Sequence, residues 1–211
     1  MEIKSDKIRA VFFDLGKVIL TFNHHEIVAR FLKNVAPEMR RESELFEFLF
    51  DEKDGLCNPF DEGNISARGF FEVIDSRFNL NMGFDEFKDA WNDIFTESEP
   101  VSELMREVRR RRPVYLLSNV NELHWEFVRE RYPVLSEVDG WVLSYELKVK
   151  KPAPAIYEHA LKTAGIGAGE SIFIDDLEKN TIASTKCGIP GVTFIDHASL
   201  RSILKSLMLV D

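Results

Sequence analysis

Five short apolar segments, each four to seven residues long, constrain the fold more than any other feature of the chain. Segments of this kind, bounded by turn or polar residues, are typical of strands that are covered on both faces. Helical patterns separate the later apolar segments. One covers residues 156–164 and ends before Gly165, and another runs from about residue 180 to Cys187 and ends before Gly188. Strands that alternate with helices predict right-handed crossovers and an α/β fold with a doubly wound parallel sheet. The predicted strands are residues 9–14, 113–119, 141–144, 171–176 and 191–195.

A helical stretch of about 70 residues separates the first predicted strand from the other four. Apolar residues recur at helical spacing over about residues 24–95, Ser66 is placed as an N-cap, and residues 54–59 have the composition of a loop. A connection of this length with helices of its own is an inserted subdomain and not a loop. We therefore expect a core formed by residues 1–21 and 97–211, and a helical subdomain formed by residues 22–96.

Polar residues follow three of the predicted strands at their carboxyl ends. Asp14 ends the first strand, Ser118 and Asn119 the second, and Asp175 and Asp176 the fourth. A single Asp in this position is often only a turn former, but ligands bind at this edge of a parallel sheet, where three polar strand ends would meet. Carboxylates that face one another repel unless a cation lies between them, and oxygen ligands suit Mg²⁺.

A lysine precedes the helical segment between the third and fourth strands. Because Lys151 is followed by Pro152, its backbone is expected to be extended and a helix to begin just after it. An ammonium group near a helix N-terminus is well placed to bind an anion. The simpler alternative is a solvated basic loop, which we favour for Lys148 and Lys150.

The overall charge and composition limit the partners of the chain. A net charge of −9 does not attract nucleic acid or an anionic membrane surface, and the arginines at 109–112 are interpreted as solvated cations at a helix C-terminus. Two cysteines, Cys57 and Cys187, fit reduced thiols better than a disulfide framework. No apolar run approaches the roughly 20 residues that span a bilayer. We expect a cytoplasmic protein that is a monomer or a homodimer.

Four segments together resemble the motifs of the haloacid dehalogenase-like hydrolases. Residues 11–18 (VFFDLGKV) resemble the first motif, and residues 116–119 (LLSN) resemble the second. Residues 151–157 (KPAPAIY) resemble the third motif, with its lysine at Lys151, and residues 172–176 (IFIDD) resemble the acidic fourth. The motifs occur in the order and at about the spacing of the family, over the whole chain. The resemblance implies a Rossmann-like core and places the family's cap in the helical segment after the first motif.

The resemblance also implies a two-step phosphatase mechanism with Asp14 as the catalytic nucleophile. Asp14 attacks phosphorus and forms an aspartyl-phosphate, which water then hydrolyses. Mg²⁺ is the implied cofactor, and its expected ligands are the Asp14 carboxylate, the Gly16 carbonyl and Asp176. The cation would offset the charge of the phosphoryl oxygens and orient them for attack.

The remaining motif residues are expected to bind the phosphoryl group of a small phosphorylated metabolite. The resemblance assigns this role to Ser118, the backbone around Asn119, and Lys151. Asp175 is expected to support them, by orienting either a metal-bound water or Lys151.

Gly16 departs from the pattern of the family. Most phosphatases of this class carry a second Asp two residues after the nucleophile, which protonates the leaving oxygen and then activates water. Glycine keeps the carbonyl for the metal but supplies neither an acid nor a base. Loss of a general acid–base group typically costs about 10²–10⁴ in rate.

Three interpretations remain open at this point. The first is an active phosphatase. Its ester either has a leaving group that needs little protonation, as in a sugar 1-phosphate, or the acid comes from elsewhere, and the resemblance supports a small sugar phosphate such as glucose 1-phosphate. The second is a haloacid dehalogenase, although those enzymes use no metal and do not need the pair Asp175 and Asp176. The third is a non-catalytic protein that binds a phosphorylated ligand.

Three other features are candidates for lesser roles. Lys17 could reach the leaving group, pair with a carboxylate of the cap or point to solvent. His24 and His25 have no third metal ligand at a suitable spacing and are interpreted as residues of the cap edge. Residues 58–65 resemble a segment that faces the active site in relatives, so we look there for specificity.

Overall fold

A parallel sheet of five strands forms the centre of the structure, a computed structural model that describes residues 5–211. The strands of the described residues are β1 (Ala10–Phe13), β2 (Leu20–Thr21), β3 (Thr96–Glu97), β4 (Val114–Ser118), β5 (Gly140–Leu143), β6 (Ser171–Asp175) and β7 (Gly191–Thr193). In the parallel sheet, β1 lies in the middle between β4 and β6, with β5 and β7 at the edges, whereas β2 and β3 form a separate pair. The α/β class and the doubly wound parallel sheet predicted from the sequence are confirmed.

Helices cover both faces of this sheet. The helices are α1 (His24–Lys33), α2 (Glu42–Phe50), α3 (Cys57–Asp61), α4 (Ala67–Phe78), α5 (Phe84–Asn92), α6 (Glu99–Arg109), α7 (Glu122–Arg131), α8 (Ser144–Leu147), α9 (Pro154–Ala164), α10 (Glu178–Lys186) and α11 (His197–Ser206). All four residues of β1 are buried: Val11 and Phe13 pack on the face covered by α6, α7 and α11, and Phe12 packs beside Tyr157 of α9. Burial on both faces explains why the strand has no alternation of apolar and polar residues.

Helices α1 to α5 lie between β2 and β3, and we refer to residues 22–96 as the helical block. Strands β2 and β3 pair in antiparallel orientation, so the chain leaves and re-enters the sheet layer at adjacent points. The apolar faces of the block meet around the buried ring of Trp91, which lies 4.8 Å from Phe70 between centroids. The stack of Phe31 on Phe87, at 4.9 Å, belongs to the same cluster. The block therefore has a hydrophobic core of its own.

The N-cap of one helix was predicted correctly from the sequence, and one loop was predicted only in part. Ser66 is the N-cap of α4, since its Oγ accepts a hydrogen bond from the backbone N–H of Gly69 at 3.2 Å. The expected loop at residues 54–59 is wrong in its second half, because α3 begins at Cys57. Pro59 lies in the first turn of α3, where its missing N–H is not needed, and Phe60 is buried against Phe70.

The basic segment at the C-terminal end of α6, residues 109–112, makes specific contacts with other parts of the chain. Arg109 pairs with Asp139 at 3.2 Å, and the Arg112 side chain donates to the backbone oxygen of Ile8. Between Ser5 and Asp211, none of the helices combines the length and the apolar character needed to cross a membrane.

Candidate active site

The three polar strand ends converge at one edge of the sheet. Asp14 follows β1 directly, Ser118 is the last residue of β4, and Asp175 is the last residue of β6. All three are buried, with 7%, 1% and 0% of their surface exposed. Because β4, β1 and β6 are neighbours in the sheet, their carboxyl ends bring these residues together as the sequence predicted.

Lys151 joins two of the carboxylates. Its Nζ lies 2.9 Å from Oδ1 of Asp14 and 2.6 Å from Oδ2 of Asp175, and the residue is 3% exposed. Burial by itself lowers the pKa of Lys151, but the two carboxylates offset it and the net shift is upward. The lysine is therefore a buried, charged group, and the alternative of a solvated loop is wrong for this residue.

The side chain of Asn119 fixes the backbone of Lys151. Its Oδ1 accepts from the Lys151 N–H at 2.8 Å, and its Nδ2 donates to the Lys151 carbonyl at 3.0 Å. This pair of hydrogen bonds ties the loop before α9 to the end of β4. The amide oxygen and one of the two amide N–H groups are engaged in it, so the side chain of Asn119 serves to hold the loop.

Asp175 is held by several donors. Its Oδ1 accepts from the backbone N–H of Leu177 at 2.8 Å, and Nδ2 of Asn180 lies 3.0 Å from both carboxylate oxygens. Together with Lys151, these donors fix the plane of the carboxylate. The contact with Lys151 matches one of the two supporting roles expected for Asp175.

Asp14, Asp175 and Asp176 form a cluster of carboxylates whose nearest oxygens all lie within 4.8 Å of one another. Burial, partly offset by Lys151, raises the pKa of Asp14 to about 7, and burial together with Asp175 raises the pKa of Asp176. Three carboxylates face the single ammonium of Lys151, so the cluster has more acidic groups than this cation can neutralise. Oxygen donors with an excess of negative charge fit a hard divalent cation.

Of the three predicted metal ligands, Asp14 and Asp176 belong to the carboxylate cluster, and Gly16 lines the same cavity. Asp175 is in the cluster too, but its oxygens are occupied by Lys151, Leu177 and Asn180. The geometry thus leaves Asp176 as the free member of the acidic pair.

A cavity of about 260 Å³ lies above these residues. The sheet layer contributes its floor, with Asp14, Ser118, Asn119, Lys151 and Asp176. The opposite wall comes from the helical block and its junctions, and is mostly aromatic: Phe22, His24, Phe50, Cys57, Asp61, Trp91 and Phe95.

His24 contributes a neutral ring to this wall. It stacks on Phe50 at 4.1 Å between centroids, and burial lowers its pKa to about 4. His25 stacks on Phe46 and does not line the cavity. Lys17 is exposed at the cavity rim, with its Nζ 5.8 Å from the centroid of the Phe22 ring.

Among the polar residues of the cavity, Asn121, His124 and Asn180 were not predicted from the sequence, and Asp61 was included only as part of the segment 58–65. Asn121 is the N-cap of α7, where its Oδ1 accepts from the His124 N–H at 3.0 Å. Its Nδ2 donates to Oδ1 of Asp61 at 3.0 Å, which links α7 to α3. The N-cap signal of Asn121 was visible in the sequence, whereas the partner across 60 residues was not.

Comparison with known proteins agrees with this geometry. The family model described as haloacid dehalogenase-like hydrolase matches residues 8–188. The chain belongs to the haloacid dehalogenase-like hydrolases, and the resemblance of its four motifs is confirmed.

Named relatives of the chain are phosphatases. A D-ribitol-5-phosphate phosphatase of Bacteroides thetaiotaomicron is 28% identical over 180 residues, which cover 82% of this chain and 85% of the relative. A sesquiterpene phosphatase of Aspergillus oryzae is 26% identical over 204 residues, covering 95% and 96% of the two chains.

A solved structure of the same family has a closely similar fold. It is a haloacid dehalogenase family enzyme of Bacteroides thetaiotaomicron in complex with magnesium and inorganic phosphate. The TM-score is 0.79 at 28% sequence identity, and the match covers 92% of this chain and 98% of that one.

Proposed function

We propose that the chain is a Mg²⁺-dependent phosphatase that hydrolyses a small phosphate monoester through an aspartyl-phosphate on Asp14. The observation that carries this proposal is the group of Asp14, Lys151, Asp175 and Asp176 at the floor of a cavity. A nucleophile, a cation for the phosphoryl oxygens and spare carboxylates for a metal are the groups that phosphoryl transfer to a carboxylate requires.

Asp14 is oriented for attack in this scheme. The Leu15 N–H at 2.7 Å and Lys151 both contact its Oδ1, whereas Oδ2 has no donor among residues 5–211. We assign the attack on phosphorus to Asp14, and the binding of the phosphoryl oxygens to the Ser118 hydroxyl, the Asn119 backbone and Lys151. The Ser118 hydroxyl is suited to this role because it makes no hydrogen bond with the described part of the chain.

The metal ligands in this proposal are Asp14, the Gly16 carbonyl and Asp176. The excess of carboxylate over ammonium groups supports the assignment, as does the magnesium bound in the similar solved structure. A bound Mg²⁺ would offset the charge of the phosphoryl oxygens and hold them in line with the nucleophile.

We further propose that the helical block acts as a cap and that the substrate is a sugar phosphate, such as glucose 1-phosphate. A cavity of about 260 Å³ between floor and block suits a small ester. The relative that acts on D-ribitol 5-phosphate favours this class. The aromatic wall offers flat apolar faces to a sugar ring, and the sesquiterpene phosphatase makes apolar esters the second class to examine.

The experiment is phosphate release from a panel of sugar phosphates, sugar-alcohol phosphates and apolar esters, with Mg²⁺ and with a chelator. The proposal expects turnover that requires Mg²⁺ and is fastest on a small sugar phosphate. Halide release from a 2-haloacid in the presence of chelator would indicate a dehalogenase instead. Absence of turnover, combined with a higher unfolding temperature in inorganic phosphate, would indicate a binding protein.

A further inference from the structure

The position two residues after Asp14 offers neither an acid nor the room for one. A Cβ built on Gly16 would lie 2.9 Å from Cε1 of Phe22, closer than side chains approach one another. The Phe22 ring is itself held in place, with His24 at 4.9 Å and Phe95 at 5.5 Å between ring centroids. If the chain protonates a leaving group, the proton has to come from another direction.

Three carboxylates line the cavity within residues 5–211, and one of them has no role so far. Asp14 is assigned as the nucleophile and Asp176 as a metal ligand. The third, Asp61, is the last residue of α3 and enters the cavity from the helical block, on the side opposite the sheet. The leaving group of a phosphate ester attacked from the floor departs towards that side, because attack and departure are in line.

Asp61 is fixed to the sheet layer at two points. Its backbone oxygen accepts from the Ser144 hydroxyl, which also accepts from the Val120 N–H at 3.0 Å. Its Oδ1 accepts from Nδ2 of Asn121 at 3.0 Å. Val120 and Asn121 directly follow the Ser118 and Asn119 strand end, so the position of Asp61 is tied to the phosphate-binding residues.

The second oxygen of Asp61 is available for proton transfer. Oδ2 accepts no hydrogen bond from any residue in the described range 5–211, although the residue lines the cavity. Burial raises the pKa of Asp61 to about 6, even though Asn121 and Lys150 lower it. An acid with a pKa near the working pH can give a proton in one step and take one in the next.

Other titratable groups of the cavity are less suited. Burial lowers the pKa of His24 to about 4 and that of His124 to about 3, so neither carries a proton to donate at neutral pH. Both nitrogens of His124 are also within 3.2 Å of partners, Asn121 and the Trp91 carbonyl. Lys17 is exposed at the cavity rim, with its Nζ over the Phe22 ring.

We infer that Asp61 is the general acid–base of this enzyme, supplied by the helical block in place of the residue that Gly16 lacks. The inference rests on the proposed phosphatase function. In the first step the Asp14 carboxylate bonds to phosphorus, the ester P–O bond breaks, and Asp61 gives its proton to the leaving oxygen, which departs as an alcohol. In the second step a water oxygen bonds to phosphorus, Asp61 takes its proton, and the Asp14–phosphorus bond breaks to release phosphate.

The test compares Asp61→Asn with the wild type on two esters that differ in their need for an acid. A sugar phosphate with an alkyl leaving group needs protonation, whereas 4-nitrophenyl phosphate does not. Glu62→Gln is the matched control, since Glu62 is the adjacent carboxylate and does not line the cavity. We expect kcat/KM of Asp61→Asn to fall by about 10²–10⁴ on the alkyl ester and by less than about tenfold on the aryl ester.

Equal losses on both esters, or no loss on the alkyl ester, would overturn the inference. Turnover of the aryl ester by the variant shows that its site is folded. If Asp61→Asn does not fold, Asp61→Ser, which keeps an oxygen for Asn121, takes its place with the same expectation. Failure of the proposed function would be visible separately, as absence of Mg²⁺-dependent turnover in the wild type.

Discussion

Lys151 shows at the scale of one residue how a buried charge is kept in this fold. Two carboxylates contact its ammonium, and the Asn119 side chain fixes its backbone on both sides. Taking a lysine out of water costs several kcal/mol, which partners at this distance offset. The same contacts aim the ammonium at the oxygen edge of Asp14, where the phosphoryl group is proposed to bind.

Replacing Lys151 by Met should therefore affect both stability and activity. Asp14 and Asp175 would be left buried without their cation, and removing one partner of such a pair costs about 3–5 kcal/mol. We expect the free energy of unfolding in urea to fall by this amount and phosphate release to fall at least about a hundredfold, the scale of losing one preorganised charge contact.

The matched control is Lys148→Met, at an exposed position on the same loop. Its unfolding free energy should change by less than about 0.5 kcal/mol, as for most surface positions. A Lys151→Met protein as stable as this control would contradict the role given to the buried ion pairs.

At the scale of elements, a polar network joins α7 to the helical block. His124 on α7 lies 3.2 Å from the Trp91 carbonyl through Nε2 and 3.2 Å from Asn121 through Nδ1, and its ring stacks on Trp91 at 4.8 Å. These contacts suit a neutral imidazole that donates at Nε2 and accepts at Nδ1. Protonation would turn the acceptor into a second donor facing the Asn121 amide.

His124 should make the protein sensitive to acid. Burial lowers its pKa in the folded state to about 3, from an ordinary value of 6.5, so the unfolded chain binds the proton more tightly. Its contribution to stability is complete above pH 6.5 and is lost as the pH falls towards 3, by at most about 1.4 kcal/mol per pH unit.

The measurement is the free energy of unfolding between pH 7 and 4 in the wild type, His124→Gln and His159→Gln. We expect the loss of stability per pH unit on acidification to be smaller for His124→Gln than for the wild type, by the contribution of this one histidine. The slope that remains is the sum of opposing contributions, since the pKa of His24 is lowered whereas those of Asp14 and Asp61 are raised. His159→Gln, at an exposed position on α9, is the control for the exchange of a histidine for glutamine. Identical slopes in all three proteins would contradict the burial argument.

At the scale of the whole molecule, the features that depend on local sequence pattern were predicted correctly. The apolar segments gave the strands, and the rule that ligands bind at the carboxyl edge brought Asp14, Ser118 and Asp175 together. Lys151 was found through the motif it belongs to, but its burial between two carboxylates was not predicted. Its position before Pro152 distinguished it from the neighbouring Lys150, but no local pattern indicates the two carboxylates that surround it.

Other parts of the site depend on how the helical block packs against the sheet layer, and they could not be predicted from the sequence. The contact of Asp61 with Asn121 needs α3 to pack on α7, across 60 residues of sequence. The Phe22 ring leaves no room for a side chain at Gly16 because of where it lies between His24 and Phe95. Such contacts are determined by the packing of the helical block against the sheet layer. No local sequence pattern indicates this packing.

The central claim is that Asp14 is the nucleophile of a metal-dependent phosphatase. The most direct measurement is Mg²⁺-dependent phosphate release by the wild type, by Asp14→Asn and by Asp85→Asn, a carboxylate on α5 whose side chain is 92% exposed. We predict turnover in the wild type and in Asp85→Asn, and none above background in Asp14→Asn, although that protein stays folded. Turnover that survives in Asp14→Asn would contradict the account.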